Sequence, residues 1–232
     1  IIEEALRLDL GELNRCMEAQ NVTHAFMTTQ IGRAFATSVR SRTLKHLAMG
    51  GEALTPFTPE GSTVYHNIYG PTECTVNATA YEMEAFEEDV PIGRAIANVK
   101  VYVLDACGRR VPAGVPGELC IAGVQVSRGY LNRPEKTAEV YAENPFCAHE
   151  DYRRMYRTGD IVRFLPDGNI QFIGRRDGQV KIRGFRIELT EVEEVIRRFP
   201  GIRDAAVAAF DEPAGGKYIA AYIVSDEMVD IA

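Results

Sequence analysis

Three short stretches of this sequence concentrate groups able to do chemistry on a nucleotide. Asn67-Ile68-Tyr69-Gly70-Pro71-Thr72-Glu73 leaves an apolar run and packs a ring, a Gly-Pro turn, a hydroxyl and a carboxylate into one tight loop. A nucleotide site can use each of them: the ring for stacking, the amides and hydroxyl for phosphate oxygens, the carboxylate for Mg²⁺. Taken alone, the same residues also make a turn with a capping threonine and an exposed glutamate. Tyr156-Arg157-Thr158-Gly159-Asp160 sets an aspartate just before a strand-like run. A carboxylate fixed at a strand end can accept both hydroxyls of a ribose; the plain alternative is a turn with an aspartate cap. The third stretch, Gly174 to Leu189, is basic. Basic clusters are usually solvated faces, but here the charges flank Gly178 and Gly184 and alternate with Val180, Ile182 and Ile187.

Positioning these loops requires an alternating scaffold, and the pattern supplies one. Residues 1–66 alternate helix-like stretches (Ile1 to Met17, Ile31 to Thr37) with strand-like ones (Leu44 to Met49, Thr63 to Ile68), which predicts α/β layering. From Val90 to Gly174 the pattern becomes β-rich, with strands expected at Val99 to Leu104, Gly117 to Ala122, Ile161 to Leu165 and Ile170 to Ile173. Pro166-Asp167-Gly168-Asn169 suits a hairpin turn between the last two. After Gly174 a strand at Gln179 to Arg183 precedes a helix near Thr190, where Thr190 and Glu193 have capping-box spacing. Phe199-Pro200-Gly201 ends that helix, and strands are expected at Ala205 to Phe210 and Tyr218 to Val224. This last part reads as a small α+β unit.

Composition narrows the function classes. The 232 residues suffice for one large domain with a small one, and the formal charge of −7 makes the average surface repel nucleic acid and anionic membranes. The five cysteines never form a Cys-x-x-Cys pair, and the four histidines lack metal-ligand spacing. Free thiols in a reducing cytoplasm are expected rather than a disulfide frame or zinc site. No apolar run is long enough for a transmembrane helix. The first residues open inside a helical pattern without an initiator methionine, so the sequence is expected to begin within a longer protein.

In this order, with Gly50-Gly51-Glu52-Ala53-Leu54, Gly117-Glu118-Leu119-Cys120-Ile121-Ala122-Gly123 and Arg128-Gly129-Tyr130-Leu131, the motifs resemble the adenylation domains of nonribosomal peptide synthetases, within the adenylate-forming enzyme superfamily. The resemblance covers nearly the whole chain and identifies it as a C-terminal fragment. It implies the end of the large domain (an α/β layer and a distorted β-barrel) over residues 1–176, and a small mobile α+β domain, truncated, over 177–232. It also implies an ATP-dependent ligase that makes aminoacyl-AMP and loads the acyl group on the phosphopantetheine thiol of a peptidyl carrier protein. Mg²⁺ and neighbouring synthetase modules belong to that picture.

Residue by residue, the resemblance makes Tyr69 the adenine-stacking ring, with Asn67 and the backbone of Gly51 near the base. Gly70 and Thr72 would meet the nucleotide, Thr72 at the α-phosphate, and Glu73 would hold Mg²⁺. Asp160 would bind the ribose hydroxyls, with Phe172 lining that side and Arg175 near ribose and phosphate. Thr72, Glu73 and Arg175 are thus the catalytic candidates. Gln30, Ala48, Gly50, Ile68, Val76 and Asn77 match substrate-pocket positions; without a full charge among them they favour a neutral side chain, and Gln30 and Asn77 either bind a polar one or bond to backbone. Asp177 matches the interdomain hinge, and Lys181 and Gly184 the face used for thioester formation.

The sequence also departs from the family. Its phosphate loop, the aspartate that grips the α-amino group and the late catalytic lysine find no match here, so the fragment alone is expected to be inactive. Met27-Thr28-Thr29 replaces a proline pair before Gln30, and Thr190 stands where glycine is commoner. Ala214-Gly215-Gly216-Lys217 lacks the flanking residues of a phosphate loop and reads as a turn. Two alternatives stay open: an acyl-CoA or D-alanine ligase of the same superfamily, and, for the fragment itself, a non-catalytic binding module.

Overall fold

A computed structural model describes residues 9–176, 179–182, 185–211 and 217–225. The chain divides into two compact units, with the boundary between Arg176 and Asp177.

The first unit opens with helix α1 (Leu10–Ala19), capped by the Asp9 carboxylate, which accepts from the Glu12 amide at 3.0 Å. Strand β1 (His24–Thr28), helix α2 (Thr29–Ser38), and strands β2 (His46–Gly50) and β3 (Val64–Tyr69) follow. β1, β2 and β3 are parallel; β4 (Thr79–Met83) and β5 (Arg94–Ala95) complete the sheet antiparallel, in the order β1-β2-β3-β4-β5. Alternation along β2 and β3 decides which side is core. Leu47, Met49 and Tyr65 join Leu13, Met17, Phe35 and Ala36 of the helices in one buried cluster. Ala48, Gly50 and Ile68 point to the opposite face. Gly50 is needed there, since a Cβ would lie 2.7 Å from the Ile68 carbonyl oxygen.

The β-rich part contributes β6 (Val99–Leu104), β7 (Gly117–Gly123), helix α3 (Pro134–Val140), β8 (Tyr141–Glu143), β9 (Arg154–Phe164) and β10 (Ile170–Arg175). They form an antiparallel sheet in the order β10-β9-β7-β6, with β8 also pairing β9. All of β7 is buried, because one cluster around Leu119, Ile121 and Tyr156 covers one face and another around Tyr102, Cys120 and Met155 covers the other. The distorted barrel expected from the sequence is not formed: among the described residues the sheet is open, ending at β6 and β10. Mutual hydrogen bonds of 2.8 Å, Ile92 N to Ile170 O and Ile170 N to Gly93 O, join its edge strand to the segment before β5.

The second unit holds the antiparallel pair β11 (Val180–Ile182) and β12 (Phe185–Ile187), helix α4 (Leu189–Arg197), and the antiparallel pair β13 (Ile202–Asp211) and β14 (Lys217–Ser225). The chain is thus mixed α/β with several sheets, followed by an α+β unit. The capping box expected at Thr190 and Glu193 is absent. Thr190 lies inside the helix, whose cap residue Glu188 makes no side-chain cap bond, and the Glu193 carboxylate instead accepts from the Val207 amide at 2.9 Å and pairs with Arg197. A tertiary bond to the neighbouring strand has displaced a local one. Asp177, Gly178, Gly184 and Ala214-Gly215-Gly216 lie outside the described residues.

Candidate functional site

The loop after β3 is drawn tight by backbone packing. A Cβ at Gly70 would come within 2.8 Å of the Asn77 Cα and closer still to the Val76 carbonyl, so only glycine fits. Thr72, Glu73 and Cys74 form a single 3₁₀ turn, and the Ala78 amide returns to the Tyr69 carbonyl at 2.8 Å. Between them Thr75 and Val76 are held at φ 52° and 72°. The left-handed region is costly for β-branched side chains, and such strain concentrates at functional sites.

Four contacts from the segment after β7 hold this loop. The Ser127 amide donates to the Glu73 carbonyl at 2.8 Å, and Thr75 Oγ1 donates to the Gln125 carbonyl at 2.8 Å. Gln125 Nε2 donates to the Asn77 carbonyl at 3.4 Å, and Tyr130 Oη donates to Glu73 Oε1 at 2.6 Å. Glu73 is only 6% exposed, so a charge-assisted bond of this kind fixes its carboxylate. Burial, with the nearby Glu73 charge second, pushes the adjacent Cys74 thiol up to about 12, keeping it protonated and unreactive.

On the other side, the Tyr69 hydroxyl donates to Asp160 Oδ2, and Arg175 Nη1 donates to Asp160 Oδ1 at 2.6 Å. Burial, then the Asp160 charge, raises the Tyr69 phenol well above its ordinary range, so it remains a donor. Asp160 is 5% exposed and Arg175 is largely buried, so the ion pair is shielded from screening by salt. The structure therefore joins Tyr69, Asp160 and Arg175 directly and holds Glu73 one turn beyond Tyr69.

The other candidate residues are more dispersed. Phe172 is half-exposed on β10, where it pairs with Val162. Asn67 is buried and its amide donates to the Pro91 carbonyl at 2.8 Å. Gly51, at φ 111°, has open space where a side chain would lie. Ala48, Gly50 and Ile68 share one sheet face, with Gly50 beside Ile68 in register. Gln30 is exposed at the start of α2 and donates to Glu52 at 3.1 Å; Val76 is 62% exposed and Asn77 half-buried. Lys181 lies on β11 of the second unit. Sequence reasoning assigned no role to Tyr130 or Glu118, although both lie inside motifs it quoted.

As a metal site, Glu73 suits Mg²⁺ better than a tighter-caged ion. Among the described residues no group of three or more His, Cys, Asp or Glu could hold a metal. A single fixed carboxylate fits an ion that keeps its waters and takes further oxygens from phosphates.

Residues 1–131 match the family model described as AMP-binding enzyme. The chain is 42% identical over 230 residues to bacitracin synthase 1 of Bacillus licheniformis, covering 99% of this chain and 4% of that protein. It is 45% identical over 231 residues to surfactin synthase subunit 1 of Bacillus subtilis (strain 168), covering 100% and 6%. Among solved structures it resembles PA1221, described as an NRPS protein containing adenylation and PCP domains, with a TM-score of 0.80 and 29% identity over 94% of this chain and 46% of that one. The chain thus spans a small part of the synthases it matches.

Proposed function

Because the chain belongs to the AMP-binding enzyme family, we propose that it is part of an amino-acid adenylation domain, which joins an amino acid to AMP and passes it to a carrier-protein phosphopantetheine thiol. The observation that carries this reading is the partly buried cluster of Tyr69, Asp160 and Arg175, with the fixed Glu73 carboxylate in the loop that follows Tyr69. It offers a ring, a ribose-type acceptor, a cation and a metal-type ligand at neighbouring positions.

In this reading Tyr69 stacks on adenine and Asp160 accepts from the ribose hydroxyls. Arg175 neutralises developing phosphate charge, and Thr72 bonds the α-phosphate. Glu73 holds Mg²⁺, which supplies Lewis-acid charge neutralisation when bound. Attack of one anion on another needs such neutralisation and in-line positioning rather than a protein nucleophile. Ala48, Gly50 and Ile68, with Gln30, Val76 and Asn77, line a pocket for a neutral amino-acid side chain. Asp177 is the hinge between the halves of the cycle, supported by the unit boundary beside it, and Lys181 and Gly184 serve thioester formation. The partners are a peptidyl carrier protein and further synthetase modules.

No helix among the described residues is long and apolar enough to cross a membrane, and the cysteines are unpaired; both suit a cytoplasmic enzyme. The test is amino-acid-dependent pyrophosphate exchange by the full-length protein. Asp160→Ala should raise the KM for ATP at least about tenfold, the worth of losing hydrogen bonds to a charged group. An unchanged KM would remove Asp160 from the nucleotide site.

A further inference from the structure

The aspartate of the candidate ribose site does not sit on a regular strand. Along β7 and β9, Glu118 faces Ile161 and Cys120 faces Arg157, so Thr158, Gly159 and Asp160 together oppose the single residue Leu119. The facing ladder from β10 slips too, between Phe172 and Gly174, which brings Arg175 opposite Asp160. Both irregularities meet at this aspartate. Bulges re-aim side chains at the expense of ladder hydrogen bonds, whose donors and acceptors then need other partners.

Those partners are specific. Thr158 Oγ1 donates to the Leu119 carbonyl at 2.8 Å and accepts from the Asp160 amide at 3.0 Å. Gly159, at φ 73°, gives its carbonyl to the Arg176 amide at 3.0 Å. Its own amide donates to Glu118 Oε1 at 3.2 Å. Glu118 is 7% exposed, and its other oxygen accepts from Arg157 Nη2 at 2.6 Å and Nε at 3.2 Å, with Arg176 Nη1 at 3.7 Å. One buried carboxylate thus ties the apex of the bulge to the residues flanking it on β9 and at the end of β10.

We propose that Glu118 is the positioning residue that holds the Thr158-Gly159-Asp160 bulge so that Asp160 presents its carboxylate to the two ribose hydroxyls. This rests on the nucleotide reading above but assigns a role outside it. Two vicinal hydroxyls can be gripped by one carboxylate only if its plane is held to within a fraction of an ångström, and a glycine-centred bulge cannot supply that rigidity by itself. Glu118 itself touches no part of the nucleotide in this scheme.

The experiment compares binding of ATP and 2′,3′-dideoxy-ATP by calorimetry in the full-length protein and in Asp160→Ala, Glu118→Ala and Glu118→Gln. The wild type should prefer ATP by about tenfold or more, the contribution of hydrogen bonds to a charged acceptor. Asp160→Ala should abolish that preference. Glu118→Ala should reduce it to about threefold or less while leaving dideoxy-ATP affinity within about twofold of wild type. Glu118→Gln keeps the side-chain volume but turns an amide donor toward Arg157, and should lose at least about threefold of the preference. An equal loss for both nucleotides, or an undiminished preference in the Glu118 variant that folds, overturns the positioning role. A wild type without preference, or an Asp160→Ala protein that keeps it, overturns the nucleotide reading instead.

Discussion

Tyr130 donates its phenolic hydrogen to Glu73 Oε1 at 2.6 Å across 57 residues of sequence. The ring is itself held, edge-on to Tyr141 at 5.8 Å and under the Lys136 ammonium at 5.6 Å. The loop that carries the metal-type carboxylate is therefore oriented from the segment that follows β7.

The first prediction follows from that bond. In the full-length protein Tyr130→Phe removes the donor but keeps the ring, so Glu73 should still bind Mg²⁺ in a less ordered geometry. We expect the Mg²⁺ concentration for half-maximal adenylate formation to rise by about ten- to a hundredfold, the range for losing a hydrogen bond to a charged metal ligand. Glu73→Gln should cost more, in rate as well as in Mg²⁺ dependence. A magnesium titration of pyrophosphate exchange distinguishes the two, and an unchanged profile for Glu73→Gln removes the loop from the metal site.

The strained loop gives a second prediction with the opposite sign. Val76 is mostly exposed yet held at φ 72°. Val76→Gly relieves a left-handed β-branched residue and loses little packing, though it adds freedom to the unfolded chain; a net gain of about 1 kcal/mol is expected. Gly70→Ala, by contrast, forces a Cβ against the backbone of Val76 and Asn77 and should cost about 1–3 kcal/mol. Urea denaturation of both variants measures this, and a Val76→Gly protein less stable than wild type would mean that the valine packs in solution.

A third prediction concerns pH. The Glu18 carboxylate accepts from the Arg42 side chain, at 2.8 Å and 3.2 Å, and from the Arg42 amide at 2.8 Å. These bonds, the guanidinium's first, lower its pKa from 4.5 to about 2. A depressed carboxylate stabilises the fold fully above the unfolded value and loses that contribution as pH falls through the folded value. The difference in melting temperature between wild type and Glu18→Gln should therefore be constant above about pH 5, shrink below 4.5 and vanish near 2. A gap independent of pH over that range would mean that the pair is not formed.

Local pattern was a good guide to β2, β3 and β6, because strand alternation and turn residues are read within a few positions. β6 begins and ends where its apolar alternation does, and β3 and α2 differ from expectation by a residue or two at either end. Several elements were not legible, and three of them show a physical reason. β1 (His24–Thr28) is short, its apolar residues Ala25, Phe26 and Met27 stand in a row rather than alternating, and only Met27 is buried. α3 has no buried residue and hence no apolar stripe, leaving only its N-terminal proline as a signal. β9 runs straight through Gly159, which reads as a break until the Glu118 carboxylate is seen to take up its amide.

The sequence by itself determined which residues could do chemistry: the tyrosine, threonine and glutamate of one loop, the aspartate of another and the arginine at the end of a strand all stand in short motifs. Only the tertiary structure decided their partners. Tyr69 and Asp160 lie 91 positions apart and meet through a hydrogen bond, and Glu118 reaches Gly159 across a strand pair whose register is itself broken. Such contacts have no period and no local signature, because a side-chain bond between distant segments depends on how sheets pack and strands pair rather than on either segment's own pattern.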